Sequence, residues 1–237
     1  PDKYQGPYPV SDVRVREALN RAIDRAEIID TIYGGQGKPA YFHFNHPTQP
    51  GWDETWATRA PEAYAYDPVK ASQLIEDAGF KGAEIVIYNY MLPGTPEMVQ
   101  VQEAMEIAFD AIGLNAKLED IEFNRVREKY RGRSFLGEIF GFNPGSLRPP
   151  HIGYSSYYDT NLSFINLYDD LEINAKMAEL RGTLDYNKRA QIQADIGEIL
   201  LMEYTTMPIL YVSAQMIEML TIYLILVLIG LATLKIR

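Results

Sequence analysis

Between Asp67 and Ile121 the spacing of apolar residues switches twice from helical to extended, and a glycine stands at each switch. Asp67-Pro68 places a capping carboxylate before a proline at the first helical position. The helix it opens buries Ala71, Leu74, Ile75 and Ala78 and stops at Gly79. Residues 84–90 (EIVIYNY) read as a strand. Residues 96–112 read as a second helix, with Val99, Val101, Ala104, Met105, Ala108 and Ile112 apolar and Gly113 as its stop. Residues 114–121 (LNAKLEDI) alternate apolar and polar, as a strand does. A short helix at 123–131 and a strand at 135–142 follow. Strands that alternate with helices bury a sheet beneath helical cover, so this stretch dictates a layered α/β fold.

The flanks extend the pattern. Ser11 or Asp12 caps a helix through Val15, Ala18, Leu19, Ala22 and Ile23, and Asp24 with Glu27 forms a capping box for a second, ended by Gly34-Gly35. Residues 36–66 are rich in proline, glycine, histidine and aromatic residues without a period, and read as a long loop. Residues 143–165 read as another. Loops of this length in compact domains are often functional. Two helices follow, near 166–181 and 186–203, the second capped by Asp185, then a strand at 207–213.

The last segment differs in kind. Residues 219–234 (MLTIYLILVLIGLATL) carry no charge and are followed by Lys235 and Arg237. At about 1.5 Å per residue the run reaches about 24 Å, and Met216, Ile217 and Ile236 extend it toward the ~30 Å of a hydrocarbon core. The expectation is one C-terminal transmembrane helix over 216–237, with residues 1–215 as an extracytoplasmic domain. The terminal Lys and Arg place the C-terminus in the cytoplasm. The competing reading is a buried core helix.

Composition narrows the function. A net charge of -10 argues against nucleic acid, whose phosphates need clustered Lys and Arg. The absence of cysteine rules out disulfides and thiolate metal sites. Seventeen tyrosines supply flat faces with one hydroxyl each, suited to mixed-polarity ligands or to half-buried core positions.

The order DVRVREALNRAIDRAEIIDTIYGGQG (12–37), YDPVKASQLIEDAGF (66–80) and EAMEIAFDAIGLNAKLEDI (103–121), with the late helix pair and MPILYV, resembles the family 5 extracellular solute-binding proteins of ABC importers. These include peptide, dipeptide and nickel binders. The resemblance covers residues 8–213. It implies one lobe, the C-terminal one, of a periplasmic-binding-protein type II-like fold: a layered mixed sheet with helices, in a trap that closes on its ligand. The family's N-terminal lobe has no counterpart here, and Gln215 runs into the apolar segment without a spacer. Two functions are expected from this. One is a membrane-anchored periplasmic lobe that binds a small solute or peptide for an ABC permease. The other is a repurposed accessory subunit of a larger membrane protein complex, held through residues 216–237.

Peptide-binding members carry an acidic residue after the strand matching 135–142, which pairs with the ligand's amino terminus. GFNPGSLRPP stands at that place here, with Asn143 near the equivalent position and no Asp or Glu between Glu138 and Asp159. Arg148 can offer a fork of donors to a carboxylate or phosphate, or be an ordinary loop arginine. Tyr154, Tyr157 and Tyr158 either stack on a ligand or pin the loop to the domain. Tyr88 and Tyr90 stand near a strand end and can face a cleft; Trp52 and Trp56 can pack on a ligand or on another lobe. The candidate ligand-binding residues are therefore Tyr88, Tyr90, Asn143, Arg148, Tyr154 and Tyr157.

His43 and His46 form an H-x-x-H pair on a proline-rich loop, which does not set two ligands as a helix would, and GGQGKP (34–39) lacks the Ser/Thr of a phosphate loop. No metal or cofactor is expected. The chain has no G-x-S-x-G, no H-E-x-x-H and no cysteine nucleophile, and the adjacent Asp169 and Asp170 cannot form a catalytic pair on one helix face. No enzyme activity is expected.

Overall fold

The computed structural model describes residues 8–92, 94–132, 134–135, 137–141, 148–163 and 170–212. Helices α1 (Val13–Ala22) and α2 (Arg25–Ile32) open the chain, followed by the two-residue strand β1 (Lys38–Pro39). Then come α3 (Trp56–Ala63), α4 (Pro68–Ala78), β2 (Glu84–Asn89), α5 (Met98–Ala111), β3 (Asn115–Asp120) and α6 (Phe123–Arg131). The last elements are β4 (Ile139–Phe140), α7 (Pro150–Tyr157), α8 (Leu171–Gly182), α9 (Tyr186–Met202) and β5 (Leu210–Tyr211).

Side-chain caps start most of the helices that have a legible period. Asp12 accepts from the Arg14 amide, Asp24 from Glu27, Asp67 from Lys70 and Asp185 from Lys188. Asp170 accepts from both Glu172 and Ile173. Each satisfies a backbone donor that the first helical turn leaves open.

The central sheet is parallel, in the order β3-β2-β4, and Ile87 pairs with both Leu118 and Ile139. Alternation along β2 divides two cores. Ile85 and Ile87 point into a cluster with Val15, Leu19, Ile75, Phe109 and Ile112, beneath α1, α4 and α5. Tyr88 and Tyr90 point the other way, into a cluster with Val126, Tyr154, Ile173, Met177 and Ile196 beneath α6 to α9. The sheet is thus buried on both faces, as parallel sheets require. A smaller cluster of Phe42, Trp56, Ala60, Tyr64, Leu201 and Tyr204 fixes the long segment after β1 against the end of α9.

Both segments expected as loops contain a helix. In α3, Thr55 gives no side-chain cap and Pro61 lies inside the helix. What holds it is tertiary: Trp56 is 1% exposed and donates from Nε1 to Glu198 Oε2 at 2.7 Å. In α7, the close approach of Phe44 demands Gly153, since a Cβ there would lie 2.3 Å from Phe44 Cγ. The expected strand over 135–142 is limited to Ile139–Phe140, and that over 207–213 to Leu210–Tyr211, among the described residues.

β1 and β5 pair antiparallel, which returns the segment after α9 to the first helices. A buried guanidinium secures this return. Arg25 donates to the carbonyls of Pro208 (2.8 Å), Asn20 (3.1 Å) and Tyr64 (3.3 Å) and to Asn20 Oδ1 (3.0 Å). It also stands 5.8 and 5.6 Å from the ring centroids of Tyr41 and Tyr64. Burial lowers its pKa to about 10, which leaves it charged at neutral pH.

No helix among the described residues is long and apolar enough to cross a membrane, and the segment 216–237 lies outside them.

Replacing Arg25 by Met removes these bonds and strands four acceptors. The expected loss is about 3 kcal/mol of unfolding free energy in urea titration. Replacing the exposed Arg14 by Met is expected to cost less than about 1 kcal/mol.

Candidate functional site

In a parallel sheet with helices on both faces, ligands bind beyond the carboxyl ends of the strands, where the strand order reverses. Here β2 is followed by β3 on one side, and the chain then crosses to β4 on the other. The reversal therefore lies at the ends of β2 and β4, where Tyr90 and Gly141 emerge. The Tyr90 hydroxyl donates to the Gly141 carbonyl, its ring stacks on Phe123 at 5.7 Å, and its amide donates to Gln102 Oε1 at 3.3 Å. Burial pushes the Tyr90 hydroxyl well above its usual range, so it remains a neutral donor.

Tyr88 lies within β2, and its hydroxyl donates to Glu138 Oε1 at 2.8 Å. Lys129 reaches the same oxygen at 2.9 Å and stands 5.0 Å from the Tyr88 ring centroid. Its bond with Tyr88, ahead of that with Glu138, raises the Lys129 pKa. This group fastens α6 to the sheet on the entry side of β4.

The α7 tyrosines form a different group. Tyr154 is fully buried and donates to Asn45 Oδ1 at 2.7 Å and the Gln193 carbonyl at 3.2 Å. Tyr157 packs on Phe44 at 5.1 Å and His43 at 5.2 Å, and the Tyr158 hydroxyl lies 3.2 Å from His43 Nδ1. Tyr88, Tyr90, Tyr154, Tyr157 and Tyr158 all belong to one buried cluster. Each is less than a tenth exposed.

Arg148 is exposed, and its carbonyl accepts from Gln49 Nε2 at 2.8 Å. Asn143 lies outside the described residues. Trp52 meets Phe42 and Trp56 edge-on, each at 5.5 Å.

The two histidines of H-x-x-H are separately engaged. His43 stacks on Phe44 at 3.7 Å, while His46 Nδ1 lies 2.8 Å from Thr48 Oγ1. Among the described residues no group of three or more His, Asp or Glu is placed to hold a metal.

Sequence reasoning passed over one feature. An open cavity of about 610 Å³ lies at the carboxyl end of β3 against α6, lined by Asp120, Glu122, Arg125, Glu128 and Lys129 among others. The acidic run EDIE (119–122) across the end of β3 is its sequence signal.

The parallel β3-β2-β4 sheet between two helical layers, with its strand order reversing at β2 and β4, has the type II periplasmic-binding-protein fold of one lobe. The ABC transporter substrate-binding protein CtaP from Listeria monocytogenes superposes with a TM-score of 0.71 at 22% identity, over 86% of this chain and 41% of that one. Residues 5–164 match the family described as bacterial extracellular solute-binding proteins, family 5 Middle, and the chain belongs to this family. Heme-binding protein A of Haemophilus influenzae is 26% identical over 193 residues, covering 78% of this chain and 34% of that protein. Di/tripeptide-binding protein 1 of Pseudomonas aeruginosa is 27% identical over 207 residues, covering 85% and 37%. The chain thus spans little more than a third of the length of these relatives.

Burial holds the His43 imidazole at about pKa 3, against about 6.5 in an unfolded chain. Between those values the unfolded chain binds a proton that the folded one does not. His43 therefore removes stability as pH falls below 6.5, and the loss is complete near 3. Relative to a His43→Phe variant, the wild type is expected to lose on the order of 2 kcal/mol more between pH 7 and pH 4.5, read from urea titrations at both pH values.

Replacing Gly153 by Ala drives a methyl into the Phe44 ring and is expected to cost about 2 kcal/mol, read from the same titration.

Proposed function

We propose that this chain is the C-terminal lobe of a periplasmic solute-capture protein that serves an ABC importer, takes peptide-like solutes and performs no catalysis. The observation that carries this reading is the match to the family 5 solute-binding proteins in a chain whose parallel sheet reverses its strand order at β2 and β4. The groups at the ends of β2 and β4, Tyr90, Met98 and Gly141, are uncharged, which suits the uncharged backbone of a peptide. The similarity to a protein named for di- and tripeptides supports the same class. In this reading residues 1–215 form the lobe and 216–237 hold it at the inner membrane, facing the permease, with the C-terminus in the cytoplasm. The solute is enclosed between this lobe and a second one.

A second reading is favoured by one observation. Three of the tyrosines singled out as ligand contacts have their hydroxyls committed to protein partners, Tyr88 on Glu138, Tyr90 on Gly141 and Tyr154 on Asn45. A lobe relieved of solute binding can serve as an accessory subunit of a membrane complex, docked through residues 216–237.

The full-length protein, purified in detergent, distinguishes the two by calorimetric titration with dialanine, trialanine and tetraalanine. Micromolar binding of at least one peptide is the expected result. Absence of binding, together with stoichiometric co-purification of a membrane complex, would displace solute capture in favour of the accessory role.

A further inference from the structure

The cavity of about 610 Å³ stands at the carboxyl end of β3, the end of a parallel strand where sheets of this kind take ligands. Its volume is that of a cleft for a small molecule. It is open to solvent, for Glu119, Asp120, Glu122, Arg125 and Glu128 line it and all are exposed. Half-buried Ile121 adds an apolar patch between Asp120 and Glu122.

The fold makes little use of these carboxylates. Glu119, Glu122 and Glu128 form no ion pair among the described residues, and Glu122 stands at the N-cap of α6 without capping it. Asp120 is held at the strand end, because Asn89 on β2 pairs with it in register and donates from Nδ2 to its Oδ1 at 2.7 Å. Of the two cations that line the cavity, Lys129 is taken by Glu138 at 2.9 Å. Arg125 forms no ion pair among the described residues. Four carboxylates thus surround one uncommitted cation, and a cleft walled mainly by one sign of charge concentrates the other. Among the described residues no group of three or more His, Asp or Glu is placed to hold a metal, so the cation that fits is organic. An apolar patch flanked by carboxylates matches a side chain with an aliphatic stem and a charged head.

We propose that the cavity between β3 and α6 is a specificity pocket for a basic side chain, lysine or arginine, of the captured peptide, with Asp120 and Glu122 meeting its charge. The assignment rests on the reading of the chain as a peptide-capturing lobe. The ends of β2 and β3 are neighbours about 4.8 Å apart, so a peptide backbone across the uncharged strand ends reaches the cavity with a long side chain.

The test uses the full-length protein in detergent, with trialanine and three pairs of tripeptides. In each pair one alanine, at the first, second or third place, is replaced by lysine or by norleucine, which keeps the stem and lacks the charge. Calorimetric titration of the wild type is expected to show at least one lysine peptide bound roughly tenfold tighter than its norleucine partner. The double variant Asp120→Asn, Glu122→Gln keeps the shapes and the acceptor for Asn89. In it that preference is expected to fall below about threefold, with the norleucine affinities unchanged. If the double variant does not fold by circular dichroism, Glu122→Gln alone, at an exposed position that caps nothing, is expected to cut the preference by about threefold.

A wild-type lysine preference below about threefold at every place, or one that survives the substitutions, overturns the pocket and leaves peptide capture standing. A wild type that binds none of these peptides, trialanine included, overturns peptide capture and the pocket with it.

Discussion

The buried guanidinium of Arg25 is the interaction on which the arrangement of this lobe depends. It is a charge enclosed without a carboxylate, held by three carbonyls, one side-chain oxygen and two nearby tyrosine rings. Such a group has no neutral alternative near pH 7, so the surrounding chain must supply its acceptors. Those acceptors come from the α1–α2 corner, from Tyr64 at the end of α3 and from Pro208 just before β5. Asn20 reinforces the closure by donating to the Thr206 carbonyl, and Arg16 by pairing with Glu203. Three segments far apart in sequence thereby meet at one corner, and the helical cover on one face of the sheet is locked to the chain that follows α9.

That closure permits a sheet of only three described strands to be a firm platform. β2 is hydrogen-bonded on both sides and covered on both faces, so the positions of Tyr90, Gln102 and Gly141 at its carboxyl end are set by packing rather than by loops. The family's expected ligand region begins where this platform ends. The residues at these strand ends are held by hydrogen bonds among uncharged groups.

The sequence made the framework legible because capping and periodicity are local. Asp12, Asp24, Asp67 and Asp185 announce their helices within four residues, and Gly79 and Gly113 announce the stops. The α3 and α7 helices were hidden because nothing local marks them: Pro61 and Gly153 both argue against a helix, and burial of Trp56 and the fit of Phe44 decide otherwise. The tyrosines illustrate the same limit. Alternation placed Tyr88 and Tyr90 on one face of β2, but which layer covers that face depends on α6 to α9, far downstream.

The pairing of β1 with β5 has a mechanical meaning. It brings Lys38 and Tyr211 side by side, two residues deep, at the corner held by Arg25. A pull on the chain beyond Val212 loads this short ladder first, then the contacts of Pro208 and Thr206 with Arg25 and Asn20. It enters the helix pair at the start of the chain, not the parallel sheet. Tension applied there is borne first by one corner of the lobe, and it reaches the parallel sheet only through the side chains packed between them.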